Sequence, residues 1–267
     1  MKRKGMFKVA NEEERATVYI YGTIGEDWNP EDENRAKAFA QTLDELSPKP
    51  LDLRIDSPGG SVFEGFAIAS AIRRYEGETH AYIDGLAASA ASYIALMADK
   101  VTMHDFSMFM IHNAWGICVG NREDMREMAD RLEQIDGAIA GVIYARSHME
   151  LDEVKEAMNA ETWYAGPEAL EAGFCDEVIE TGERIAACID RSLADKYRNV
   201  PEFLVIADAS DGDDVPAAQA LETGEVAEAV EGGAGVTSHQ VSIVPDNEVT
   251  APAGAILLGN RIYRKEQ

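Results

Sequence analysis

Short apolar runs alternate with stretches of helical spacing over most of the chain. Residues 17–21 (Thr-Val-Tyr-Ile-Tyr) are β-branched and aromatic and stop at Gly22, which predicts a strand. Residues 30–46 place Ala36, Phe39, Ala40, Leu43 and Leu46 on one helical face, with Asn29 and Pro30 as cap and first turn. Residues 51–55 form a second predicted strand, ending in Asp56-Ser57-Pro58-Gly59-Gly60, after which Phe63, Phe66, Ala67, Ala69, Ser70 and Ile72 trace a helix. A strand over 79–83 runs into a small-residue segment and its helix, and strands follow over 100–104 and 107–111. From Asn121 a long amphipathic helix carries Met125, Met128, Leu132, Ile135, Ile139 and Val142 at three- and four-residue steps. Shorter helices are predicted over 151–158 and 167–172. Strands alternating with helices predict an α/β layer architecture of ββα or βαβ units.

Composition changes this picture mainly at the C-terminus. Residues 199–260 hold no Lys or Arg but eleven acidic residues, and 207–237 are mainly Ala, Gly, Asp, Glu and Val. Such a stretch buries too little apolar surface to fold alone. Val241–Val244 and 255–258 are short apolar pieces before a basic end, consistent with a β-hairpin or a docking peptide. The expected division is an N-terminal segment (1–16), a folded unit (17–198) and an acidic extension (199–267). The net charge of −25 argues against nucleic acid and anionic lipid as partners. Cys118, Cys175 and Cys188 are scattered without metal-ligand spacing, so neither a metal nor a disulfide framework is expected. No apolar signal core follows the basic N-terminus and no run is long enough to span a bilayer, so a cytoplasmic protein is expected.

Residues 85–92, Gly-Leu-Ala-Ala-Ser-Ala-Ala-Ser, carry the candidate chemistry. Ser89 sits among residues with almost no side chain, just before a helix, where another backbone can approach the hydroxyl and free N–H donors lie beside it. Such a small-residue run more often serves close helix packing than catalysis. Gly59 and Gly60 permit positive φ and unhindered amides, as an oxyanion-binding turn requires, or simply make a loop. His112 ends an apolar strand, although His80, His104, His148 and His239 compete with it. Their joint occurrence at element junctions favours function over packing.

These stretches resemble the ClpP family of serine endopeptidases. The matching pieces are Ser57-Pro58-Gly59-Gly60, Gly85-Leu86-Ala87-Ala88-Ser89-Ala90, Met110-Ile111-His112, and Trp163 to Ala169 followed by Gly173-Phe174-Cys175-Asp176. The resemblance implies an α/β fold of the ClpP/crotonase type, with repeated ββα units in a spiral and residues 121–147 as a long handle helix. It implies Ser89 as nucleophile, His112 as general base, and the N–H groups of Gly59 and Ala90 as the oxyanion hole. Ser92 is a rival hydroxyl one helical turn further in. It also implies protein or peptide substrates, a homo-oligomeric ring and no cofactor. No Walker-type loop is present, so any ATPase would be a separate partner.

Where the family places an Asp, this chain has Glu161, with Asp152 and Asp176 as less suitable substitutes; without any of them the site would be a Ser-His dyad. Glu161 and the acidic extension resemble the ClpP-like head maturation (prohead) proteases of tailed bacteriophages. That narrower resemblance implies capsid, scaffold or portal proteins as substrates, in a host cytoplasm or assembling procapsid. Two other classes stay open: a catalytically silent ClpP-like scaffold, and a crotonase-type acyl-CoA enzyme, for which no cationic CoA cluster is evident.

Overall fold

The computed structural model describes residues 6–12, 14–25, 36–180, 189–190, 194–206, 255–258 and 261–264. The expected cap at Asn29 and Pro30, Cys188, His239 and the acidic stretch 207–250 lie outside the described residues. The frame is an eight-stranded sheet in which β2 (Ala16–Tyr21), β3 (Leu51–Ser57), β4 (Thr79–Ala88), β5 (Lys100–His104) and β9 (Glu177–Ile179) run parallel in that order. At one edge β1 (Met6–Asn11), which carries no clear pattern in the sequence, pairs antiparallel with β2.

Strict alternation in β2 and β3 sends Val18, Ile20, Leu51, Leu53 and Ile55 to a single buried face. Phe39 and Leu43 of α1 (Ala36–Leu46), Ile68 and Ile72 of α2 (Val62–Arg73) and Tyr93 and Ile94 of α3 (Ala90–Ala95) fill that core. Ser61 caps α2 as the chain leaves the Gly59-Gly60 turn. The opposite face carries polar partners, with Tyr21 donating to Asp84 (2.6 Å) and His80 Nε2 2.7 Å from Thr102 Oγ1. The α/β class and the alternating order expected from the sequence are therefore found.

Two departures matter for the site. Residues 85–88 extend β4 beyond the expected 79–83 up to Ser89, and β4 forks. Its first half pairs with β5, while Leu86–Ala88 pairs in parallel with β6 (Met108–Ile111). A strand absent from the sequence prediction, β8 (Thr162–Ala165), lies antiparallel to β6 with Ile111 opposite Thr162. Past β6 come β7 (Gly116–Cys118), the 23-residue helix α4 (Arg122–Tyr144) with an Asn121 capping box, and α5 (Leu151–Ala160); α6 (Gly166–Glu171) follows β8.

Two-stranded β10 (Ile189–Asp190) and β11 (Val205–Ile206) pair in parallel. Ala194 and Leu204 form a small second core with Leu86, Ala88, Met108 and Met110. The apolar piece β12 (Ala255–Leu258) pairs antiparallel with β13 (Arg261–Arg264) and also with β7.

Candidate active site

Three loops meet where parallel strands end. The carboxyl ends of β3, β4 and β6 deliver the 58–60 turn, Ser89 and His112 to one place, as open parallel sheets commonly do with ligand sites. The β6–β8 register sets Glu161 beside His112, because the next pair after Ile111 and Thr162 brings those two together.

Ser89 has φ 56° and ψ −122°. A non-glycine residue there carries strain of roughly 1–3 kcal/mol, sustained only where the surroundings impose it. Its N–H donates to the Met110 carbonyl (3.0 Å), which anchors it to β6. Its Oγ lies 2.7 Å from His112 Nε2, the distance of a good hydrogen bond. Ser92 is buried inside α3, its hydroxyl donating to the Ser89 carbonyl (2.6 Å), so it braces the strained residue instead of facing the cleft.

Glu161 is also left-handed (φ 54°), the residue where α5 turns into β8. It is 4% exposed, and its Oε2 is 4.0 Å from His112 Nδ1, too far for a hydrogen bond but close enough for charge to be felt. Direct hydrogen bonds to Glu161 come from elsewhere. The Arg198 N–H donates to Oε1 (2.8 Å) and Oε2 (3.0 Å), and the Asn199 N–H donates to Oε1 (2.7 Å). Burial pushes the His112 imidazole below its ordinary range; Glu161 pulls it back up and Arg198 pushes it down.

Gly59 (φ 86°) touches the serine turn closely: a Cβ there would stand 2.6 Å from Ala88 O and Ser89 Cβ and 2.8 Å from the Ala90 N. Residue 24 pins the turn, its N–H donating to Gly59 O (2.8 Å) and its carbonyl accepting from Ser61 N–H (2.9 Å). The Gly59 N–H itself donates to Ser57 Oγ (3.1 Å), and the Ser57 hydroxyl donates to Gly22 O (2.7 Å). Ala90 opens α3, so its N–H is among those a helix leaves without an intrahelical acceptor. Gly59, Gly60, Ser89 and His112 line a cleft of about 160 Å³, whose wall also includes Trp115 and Tyr197.

The other candidates lie elsewhere. Asp152 is exposed and pairs with Lys155 (3.5 Å), and Asp176 accepts from Val101 N–H (2.7 Å) and Arg146 (2.7 Å). His80 bonds Thr102, His148 bonds Glu171 O (3.0 Å) and His104 stacks on Phe106. Among the described residues, no group of three His, Cys, Asp or Glu could hold a metal ion, and no helix is long and apolar enough to cross a membrane. Sequence reasoning missed Tyr197, Arg198 and Asn199. Their only mark is that the last basic residues before the acidic stretch fall there.

The arrangement has the parts of acyl-transfer chemistry: a hydroxyl on an imidazole, a carboxylate behind it, and amides around the turn. Comparison with known proteins agrees. An ATP-dependent Clp protease proteolytic subunit of Bacteroides thetaiotaomicron is 27% identical over 165 residues, covering 61% of this chain and 74% of the relative. Proteolytic subunit 1 of Protochlamydia amoebophila is 31% identical over 143 residues, covering 51% and 68%. Proteolytic subunit 2 of Parasynechococcus marenigrum is 28% identical over 160 residues, covering 59% and 81%. Residues 23–182, more than half of the sequence, match the family described as Clp protease, and with a serine–histidine pair seated at the strand ends the chain belongs to that family as a serine endopeptidase.

Proposed function

We propose that Ser89, His112 and Glu161 hydrolyse peptide bonds as a triad. Neutral His112 takes the Ser89 proton through Nε2 as Oγ attacks the scissile carbonyl, then returns it to the leaving amine; water repeats the cycle on the acyl-enzyme. Buried Glu161 stabilises the imidazolium through charge at 4.0 Å rather than by a direct bond. The Gly59 and Ala90 N–H groups receive the developing oxyanion. The observation carrying this reading is the 2.7 Å contact between Ser89 Oγ and His112 Nε2 on a strained left-handed serine. Ser89→Ala or His112→Ala is expected to lower kcat on a peptide substrate by about 10⁴-fold or more. Retained hydrolysis in Ser89→Ala would leave the silent-scaffold reading or a contaminating protease.

The finer reading is a ClpP-like head maturation protease of a tailed bacteriophage, cleaving capsid, scaffold or portal proteins. It is supported by Glu161 at the position of the third group and by the acidic chain beyond the matched residues 23–182. Incubating wild type and Ser89→Ala with such proteins, followed by intact mass, tests it; equal processing by both refutes it. A homo-oligomeric ring belongs to the same reading. Its support is the cluster of exposed apolar side chains Trp115, Ile117, Val119 and Met125 around β7 and the start of α4. Sedimentation velocity checks that point, and a monomer at micromolar concentration overturns it.

A further inference from the structure

Residues 197–199 lie outside the stretch that matches the family, yet they contact His112, Glu161 and the 58–60 turn. The Tyr197 ring stands edge-on to His112 (5.7 Å between centroids) and to Trp163 (5.5 Å). Its hydroxyl donates to the carbonyl of Pro58, the other end of the peptide that carries the Gly59 N–H. Asn199 Nδ2 donates to Ala160 O (2.5 Å) and Arg198 Nη2 to Asn159 O (3.3 Å), gripping the carbonyls that end α5 just before Glu161. Between these anchors the Arg198 and Asn199 amides hold the Glu161 carboxylate. Ala194 and Leu204, buried at either side, tie the segment to β4 and β6.

We propose that Tyr197–Asn199 is a positioning clamp, which holds the Glu161 carboxylate toward His112 and ties that half of the site to the 58–60 turn. This rests on the triad reading above. A buried carboxylate needs donors to stay where its charge is useful, and here backbone amides supply them. The side-chain bonds of Tyr197 and Asn199 keep those amides in place. Tyr197 meets His112 only ring to ring, and its bond to Pro58 O anchors the clamp, so the effect on the rate passes through the Glu161 carboxylate.

The test is a double-mutant cycle on kcat with a fluorogenic peptide, using Tyr197→Phe with Asn199→Ala in wild-type and Glu161→Ala backgrounds. Phe keeps the ring packing and removes only the anchor. In wild type the pair is expected to lower kcat about tenfold with KM within twofold. In the Glu161→Ala background the further loss is expected to be under threefold, because the carboxylate being positioned is gone. A tenfold loss in both backgrounds shows a merely structural role and overturns the clamp, as does no loss in wild type. Thermal melts of all four proteins identify any variant that has lost its fold; Asn199→Ala alone then replaces the pair. Full activity in Ser89→Ala would sink the triad reading itself, whereas inactive Ser89→Ala with additive clamp losses sinks only the clamp.

Discussion

Replacing Gly59 by Ala tests whether the 58–60 turn works by its closeness to Ser89. The added Cβ would meet Ala88 O and Ser89 Cβ at 2.6 Å and the Ala90 N at 2.8 Å, mostly backbone that cannot swing aside. Restoring an ordinary contact of 3.4 Å displaces the turn by roughly 0.8 Å, and misplacement on that scale costs about 100-fold in rate. Losing the Gly59 donor outright costs about 10²–10³-fold, so both routes predict a fall in kcat/KM of about 100-fold or more. Holding an L-residue at φ 86° adds about 2 kcal/mol of strain, which lowers Tm by about 4–8 °C in a domain of this size. The assay is kcat and KM on a peptide substrate at a temperature where the variant is folded, with Tm from differential scanning calorimetry. Folded Gly59→Ala with kcat/KM within threefold of wild type would refute the reasoning.

Other expectations follow from the same geometry. His112 must be neutral to accept a proton, so kcat/KM rises with pH through its pKa, and burial places that limb below the ordinary 6.5. Glu161→Gln removes the charge that holds the pKa up and shifts the limb to lower pH, whereas Arg198→Ala shifts it to higher pH; opposite shifts in a pH–rate profile would refute the assigned causes. Gly137→Ala, in the middle of α4 with no heavy atom within 4 Å of the added methyl, should stabilise by about 0.5–1 kcal/mol in chemical denaturation. A loss instead would show that this face of α4 packs against another surface in solution.

Patterns with a period were legible in the sequence. The alternation in β3 and the three- and four-residue steps of α4 announce a buried sheet face and an amphipathic helix. Ser89, His112 and Gly59 stand out because each follows an apolar run, and a strand end is recognisable without coordinates. The strand β8 was not legible: Thr162–Ala165 is half-buried throughout and shows no alternation, so neither it nor the register that sets Glu161 beside His112 could be read. The true end of β4 was not legible, because the small residues at 85–88 suit either state and only pairing with β6 makes them strand. Tyr197 lies 139 positions from Pro58, a contact created by the fold alone.

The bond from the Gly59 N–H to Ser57 Oγ has a consequence for how the proposed enzyme distinguishes its ligands. The proposed oxyanion donor is bonded to a neutral hydroxyl oxygen, so an incoming group must compete for it. A neutral substrate carbonyl exchanges one neutral hydrogen bond for another and gains little by the displacement. An oxyanion forms a charge-assisted bond about twice as strong and wins the exchange. On the proposed roles Ser57 is a rival acceptor that the oxyanion displaces with more gain than the bound carbonyl does, so the exchange favours the transition state over the bound substrate.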